Sequence, residues 1–183
     1  MIDAEDVRRL GVGRWTVPLL ALLAQEQGAR FSRLATALGV SRDALTRTLD
    51  YVQGAGWVAR HGGYGHPLRP EYVLTAEGGP VAAGCARMME ARMAHAIDPG
   101  SLPRWALPAL MAMSDRRLRF SVLLAVLAPA TPRALSASLK AMIAGGLARR
   151  DQEEGFPPFA LYSASAAGRA LAACLTEQGG PHD

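Results

Sequence analysis

The chain carries the same succession of residues twice. Arg14-Trp15 returns as Arg104-Trp105, and Phe31-Ser32 returns as Phe120-Ser121. Leu45, Leu49 and Gly56 return as Leu135, Leu139 and Gly146. Arg60, Gly65, Pro67, Tyr72 and Gly78 return as Arg150, Gly155, Pro157, Tyr162 and Gly168. The offset is 90 residues, falling to 89 in a short stretch around Phe31. One residue skipped near Gly28 and one restored near Val40 account for the difference. Two long copies mark a duplicated domain, because a solenoid needs three or more short units. Units of ~80–90 residues bury little core alone, so the halves are expected to pack together as an intrachain pseudo-dimer.

Half of the residues are hydrophobic and 6% are aromatic, the profile of an Ala-rich, helical globular chain. No apolar run approaches the ~18 residues of a membrane span, so no membrane partner is expected. The opening MIDAEDVRRL is acidic and then basic where a signal peptide requires an apolar stretch. Cys85 and Cys174 do not make a disulfide framework. A cytoplasmic protein is therefore expected, at the nucleoid when bound to DNA. The net charge is +4. Residues 1–95 hold 11 basic and 9 acidic side chains, and residues 96–183 hold 9 and 7, so both halves are mildly basic. Lys140 is the only lysine. Arginine is the better ligand for phosphate and guanine, which inclines a mild basic balance toward nucleic acid.

In the first unit, Arg14 to Ala24 is an apolar run with Pro18 where a first helical turn tolerates it. Phe31, Leu34, Ala35 and Leu38 share one face of a short second helix. Ser41 is the N-cap of a third helix running to about Gln53, and Gly54-Ala55-Gly56 ends it. Trp57 to Arg60 and Glu71 to Leu74 are short strands joined by the loop His61 to Pro70. Thr75 to Ile97 reads as a longer helix. The breaker Asp98-Pro99-Gly100-Ser101-Leu102-Pro103 follows. The expected organisation is a first unit at 1–97, a linker at 98–103 and a second, diverged unit at 104–183. In the second unit Thr131-Pro132 supplies an N-cap and a proline at the first helical position, and a closing helix is expected over Ala166 to Leu175. The expected fold is mainly α with small β-hairpin wings: a tandem winged helix-turn-helix.

The first unit resembles the HxlR-type bacterial regulators. Gly13-Arg14-Trp15-Thr16, Arg30-Phe31-Ser32, Leu45-Thr46, Leu49, Arg60, Glu71-Tyr72, Leu74-Thr75 and Gly78 match that pattern in order and spacing. The resemblance covers about residues 10–95. A looser one covers about 102–175, through Arg104-Trp105, Arg119-Phe120-Ser121, Leu135-Ser136, Leu139, Gly146-Leu147, Pro157-Pro158 and Tyr162. It implies sequence-specific binding of double-stranded DNA and transcriptional control, in that family usually by a homodimer of one-unit chains. A tandem chain replaces that association with a high effective concentration. A further homodimer of tandem chains stays open, as does a small-molecule effector. No cofactor is implied.

In the third helix, Leu45, Leu49 and Val52 fall within one narrow arc and face the core. The opposite arc carries Asp43, Thr46, Arg47 and Asp50. Such a helix enters the major groove and reads base edges from its N-terminal half. Arg47 suits a guanine, and Thr46 a thymine methyl or a phosphate. Arg33 and Arg42 suit phosphates, and Arg69 in the wing suits the backbone or minor groove. The second unit diverges in two directions. Its wing, Asp151-Gln152-Glu153-Glu154, is acidic, and Phe159 stands at the place of Arg69. Its third helix instead offers Arg133, Ser136, Ala137 and Lys140. The candidate DNA-binding set is Arg33, Ser41, Arg42, Thr46, Arg47 and Arg69, with Arg133, Ser136 and Lys140 in the second unit. That unit is expected to use its helix alone, with Phe156-Pro157-Pro158-Phe159 packed on protein.

No catalytic motif is present: no P-loop, no G-x-G-x-x-G, no H-E-x-x-H and no G-x-S-x-G. No enzyme is expected. His61 and His66 share the wing without a carboxylate or thiolate partner, which makes a poor metal site. Cys85 and Cys174 read as buried small residues of packing helices. The expected role is a repressor that occludes a promoter; the alternative is a tandem winged-helix scaffold for protein interaction, which an acidic wing with an apolar tip favours.

Overall fold

The computed structural model describes residues 2–62, 70–97, 102–155 and 158–176. Arg69, His66, Phe156, Pro157 and residues 98–101 of the expected linker lie outside them. The chain forms two compact units. One is built mainly from Gly13–Met89, the other from Asp3–Val12 with Glu90–Cys174. Among the described residues no helix is long and apolar enough to cross a membrane.

In the first unit α2 (Thr16–Glu26) begins after Trp15 and ends at Gln27, which takes a left-handed conformation at φ 54°. β1 (Ala29–Arg30) leads directly into α3 (Phe31–Leu38). Gly39, at φ 61°, closes α3 by donating its N–H to the Ala35 and Thr36 carbonyls. A residue with a Cβ is disfavoured in that conformation. α4 (Arg42–Gly54) starts at Ser41, whose Oγ accepts the Ala44 N–H. β2 (Val58–His61) pairs with β3 (Glu71–Leu74), and β3 pairs on its other side with β1, all antiparallel. α5 (Gly78–Ala94) completes the unit. Leu19, Leu20, Leu23, Leu34, Leu45, Leu49, Val52, Trp57, Val81 and Met88 are buried. Each such side chain contributes roughly 1.5–3 kcal/mol through removal of apolar surface from water.

The second unit repeats this plan and adds a helix. α1 (Ala4–Leu10) is capped by Asp3, whose carboxylate accepts the Asp6 N–H at 2.7 Å. It buries Val7 and Leu10 and packs against α6 (Ala106–Ala112). The approach is close, because a Cβ on Gly11 would strike the Arg104 carbonyl. β4 (Leu118–Arg119), α7 (Phe120–Val126) and α8 (Pro132–Ala144) follow. Thr131 caps α8 by accepting the Ala134 N–H at 3.2 Å. β5 (Ala148–Glu153) and β6 (Phe159–Ala164) are six-residue strands, against four in the first hairpin, in a sheet of order β4-β6-β5. α9 (Ala166–Thr176) closes the described chain.

The matching glycines Gly78 and Gly168 have one physical cause. A Cβ at Gly78 would strike the Trp57 carbonyl, and one at Gly168 the Leu147 carbonyl. The last helix of each unit must pass over the start of the hairpin at backbone distance. The residue three positions earlier ties the same place: Thr75 Oγ1 donates to the Gly56 carbonyl at 2.7 Å and accepts the Gly78 N–H. Ser165 Oγ does the same with Gly146 and Gly168.

Several expectations need correction. α2 starts at Thr16, not Arg14, and α5 spans Gly78–Ala94, not Thr75 to Ile97. α1, β1 and β4 were not anticipated. Phe31 and Leu38, on the apolar face read for α3, are only half-buried, as are Trp15, Leu22 and Leu74. Two of these aromatics are covered by cations, Arg14 over Trp15 at 5.0 Å and Arg42 over Phe31 at 5.6 Å. An arginine can cover an aromatic face while its charged end stays in water.

Candidate nucleic-acid interface

The arc projected for α4 is the arc observed. Leu45, Leu49 and Val52 are buried, while Asp43, Thr46, Arg47 and Asp50 are exposed. Among the described residues Arg47 makes no ion pair. Ser41 is exposed at the N-cap, its oxygen engaged with the Ala44 N–H at 3.3 Å. Arg42 is exposed, and its guanidinium over Phe31 ties the start of α4 to the start of α3. Thus Ser41, at the cap, and Arg42, Thr46 and Arg47, in the first half of α4, are all exposed.

Arg33 has a different setting. It is exposed on α3 and donates to Glu26 through Nε at 2.8 Å and Nη2 at 2.6 Å. Those hydrogen bonds, and then the charge of Glu26, raise its pKa. A phosphate would have to compete with that carboxylate. On the sheet, Arg30 faces Glu71 at 3.5 Å, and Arg60 and His61 are exposed on β2.

In the second unit α8 buries Leu135, Ser138, Leu139 and Met142, and exposes Arg133, Ser136, Ala137 and Lys140. Its wing is held by two arginines whose role the sequence did not disclose. Arg117 pairs with Asp151 at 3.6 Å and makes a second, short ion pair with Glu153. Arg119 lies over the Phe159 ring, 3.8 Å from its centroid. Phe159 is half-buried beneath it. The acidic end of β5, Asp151 to Glu153, is thus partly neutralised within its own unit. Phe156 and Pro157 of the expected apolar tip lie outside the described residues.

Cys85 is buried, and burial pushes its thiol pKa up, opposed by the nearby charge of Arg87. Such a thiol stays protonated and unreactive. Cys174 is buried too, and its Sγ donates to the Ala170 carbonyl at 3.2 Å. Among the described residues no group of three His, Cys, Asp or Glu side chains is placed to hold a metal.

Two units, each with three successive helices of which the third exposes a polar face and leads into an antiparallel hairpin, define a tandem winged helix-turn-helix protein. The chain belongs to the HxlR-like helix-turn-helix family, whose model matches residues 10–98 and again 102–179. It is by class a DNA-binding transcription regulator. Similar solved structures include a chain described as a MarR-family transcriptional regulator from Enterococcus faecalis V583. The identity is 28% over 39% of this chain and 66% of that one, with a TM-score of 0.38. A second, described as a MarR-family regulator from Porphyromonas gingivalis W83, is 19% identical over 48% of this chain and 80% of that one, with a TM-score of 0.40. A third, a transcriptional regulator homologue from Pyrococcus horikoshii OT3, is 16% identical over 50% and 90%, with a TM-score of 0.41. The curated proteins contain no match.

Proposed function

We propose that this protein is a sequence-specific double-stranded DNA-binding repressor that occludes a promoter, reading the major groove with α4. The observation that carries the reading is the outward pair Thr46 and Arg47, opposite the buried Leu45 and Leu49. A guanidinium on the N-terminal half of such a helix suits the O6 and N7 acceptors of guanine. Ser41 and Arg42 at the start of α4, and Arg69 in the wing, serve the backbone. Arg33 does so only where a phosphate displaces Glu26. Arg133, Ser136 and Lys140 are the corresponding contacts of the second unit. The fused units act as one pseudo-dimer on an asymmetric target.

The test is a salt titration of the protein with duplexes from its own upstream DNA and with a shuffled control, beside Arg47→Ala. Tight binding to one native fragment, weakened selectively by Arg47→Ala, supports the reading. Equal weak binding to every duplex, indifferent to Arg47, overturns it. That outcome would favour the second reading, a protein-interaction scaffold. Val122 and Val126, exposed at 42% and 54% on one face of α7, speak for that alternative.

A further inference from the structure

The two third helices occupy the same place in the repeat and present opposite charge along the same line. On α4 the positions i, i+3 and i+7 hold Asp43, Thr46 and Asp50. On α8 they hold Arg133, Ser136 and Lys140. All six are exposed. Seven residues of helix rise about 10 Å, so each triplet is a polar ridge of two like charges around a hydroxyl. The side chain best suited to a guanine differs as well. Arg47 of α4 is replaced on α8 by Ala137, which is exposed and has no hydrogen-bonding group.

These differences act on different terms of binding. Anions beside a phosphate backbone oppose general attraction, so a helix flanked by Asp43 and Asp50 adheres poorly to duplex that offers no matching base edges. A carboxylate can also accept from cytosine N4, which rewards the right sequence. Cations reward any duplex, because phosphates carry no sequence. Arg133 also sits in the first turn of α8, where the helix dipole disfavours a cation, so helix stability does not explain it. Arg149 and Arg150 of β5 are exposed, while two other cations at the base of the second wing are engaged. Arg117 is engaged with Asp151 and Glu153, and Arg119 with Phe159. On the second α7 the place of Arg33 is taken by Val122.

We propose a division of labour in which α4 discriminates among sequences and α8 anchors the protein to any duplex through Arg133 and Lys140 without reading bases. The target is then a single read half-site beside sequence-indifferent DNA. This rests on the regulator reading above.

The experiment selects the tightest duplex from a randomised pool with the full-length protein. Each base pair of its footprint is then substituted in turn, for the wild type, for the double variant Arg133→Gln/Lys140→Gln, and for Asp43→Asn/Asp50→Asn. All the altered positions are exposed, and equal thermal unfolding of the three proteins is the control. Expected are penalties confined to one half of the footprint. The α8 variant should lose affinity by the same factor on every duplex, with a log–log salt slope shallower by about 1.8 for two phosphates. The α4 variant should gain affinity for shuffled DNA and lose discrimination. Penalties of similar size in both halves, or an α8 variant that reorders the duplex preferences, would overturn the division of labour while leaving the regulator reading intact. Recovery of no preferred duplex by the wild type would overturn both.

Discussion

Arg119 of β4 lies over the ring of Phe159 at the start of β6, 3.8 Å from the centroid. In the first unit the place of Phe159 belongs to Arg69. Where the first wing has an arginine in sequence, the second has a ring held in an internal contact. Phe159→Leu keeps apolar area and removes the π face. It should cost about 0.5–1 kcal/mol in urea denaturation. Combined with Arg119→Ala it should cost less than the two single losses added together, and strict additivity would mean the contact contributes nothing.

Thr75 and Ser165 make the same pair of hydrogen bonds in the two units, each holding a helix start to the turn before the hairpin. Thr75→Ala and Ser165→Ala should each lower stability by about 0.5–2 kcal/mol, as loss of an N-cap does. Thr75→Ser should retain most of it. Calorimetry showing no change for both alanines would deny the hydroxyls this role.

Gly78 and Gly168 leave no room for a Cβ against the Trp57 and Leu147 carbonyls. Alanine at either place forces backbone to move and should cost about 1–3 kcal/mol, as overpacking does. Gly79 is the control, since a Cβ there would meet nothing within 4 Å. Gly79→Ala should stabilise α5 by about 0.5–1 kcal/mol. Equal effects at Gly78 and Gly79 would contradict the close approach.

Burial holds the Cys85 thiol neutral, with its pKa raised. A group raised on folding stabilises the native state fully below its unfolded value, for a thiol about 8.5, and loses that contribution as pH rises toward the folded value. The urea midpoint should therefore fall as pH climbs above about 9, and less steeply in Cys85→Ala. At neutral pH a thiol reagent should label Cys85 only as fast as the protein opens. Rapid labelling of the native protein would refute this.

Thr16 is fully buried, and its hydroxyl has no hydrogen-bond partner among the described residues. The second unit carries Ala106 there, also buried. Replacing an unsatisfied buried hydroxyl with a methyl of the same shape is neutral or favourable. Thr16→Val should leave stability unchanged or raise it by about 1 kcal/mol. A clear loss in thermal unfolding would reveal a partner for the hydroxyl.

Much of the polar face of α4 was legible from spacing. Leu45, Leu49 and Val52 recur at helical intervals, so they had to share a face, and Asp43, Thr46, Arg47 and Asp50 had to stand opposite. Ser41 and Thr131 marked their helix starts because few side chains can take up an orphan N–H there. The paired strands β1 and β4 were not legible, since two residues show no alternation. Phe31 shares the face of the buried Leu34, yet it and Trp15 are only half-buried, with Arg42 and Arg14 over their rings.

By itself the sequence determined that there are two units, where their third helices begin, and which face of each third helix is polar. Repetition, caps and periodicity are local properties, set by residues a few positions apart. The tertiary structure decided what depends on residues far apart in the chain. It placed Asp3–Val12 with the second unit, where Val7 and Leu10 bury against α6. It matched Arg33 to Glu26, and Arg117 to Asp151 and Glu153, so that these exposed cations are engaged. Charge is written in the sequence, but its neutralisation falls steeply with distance, and only the fold sets those distances.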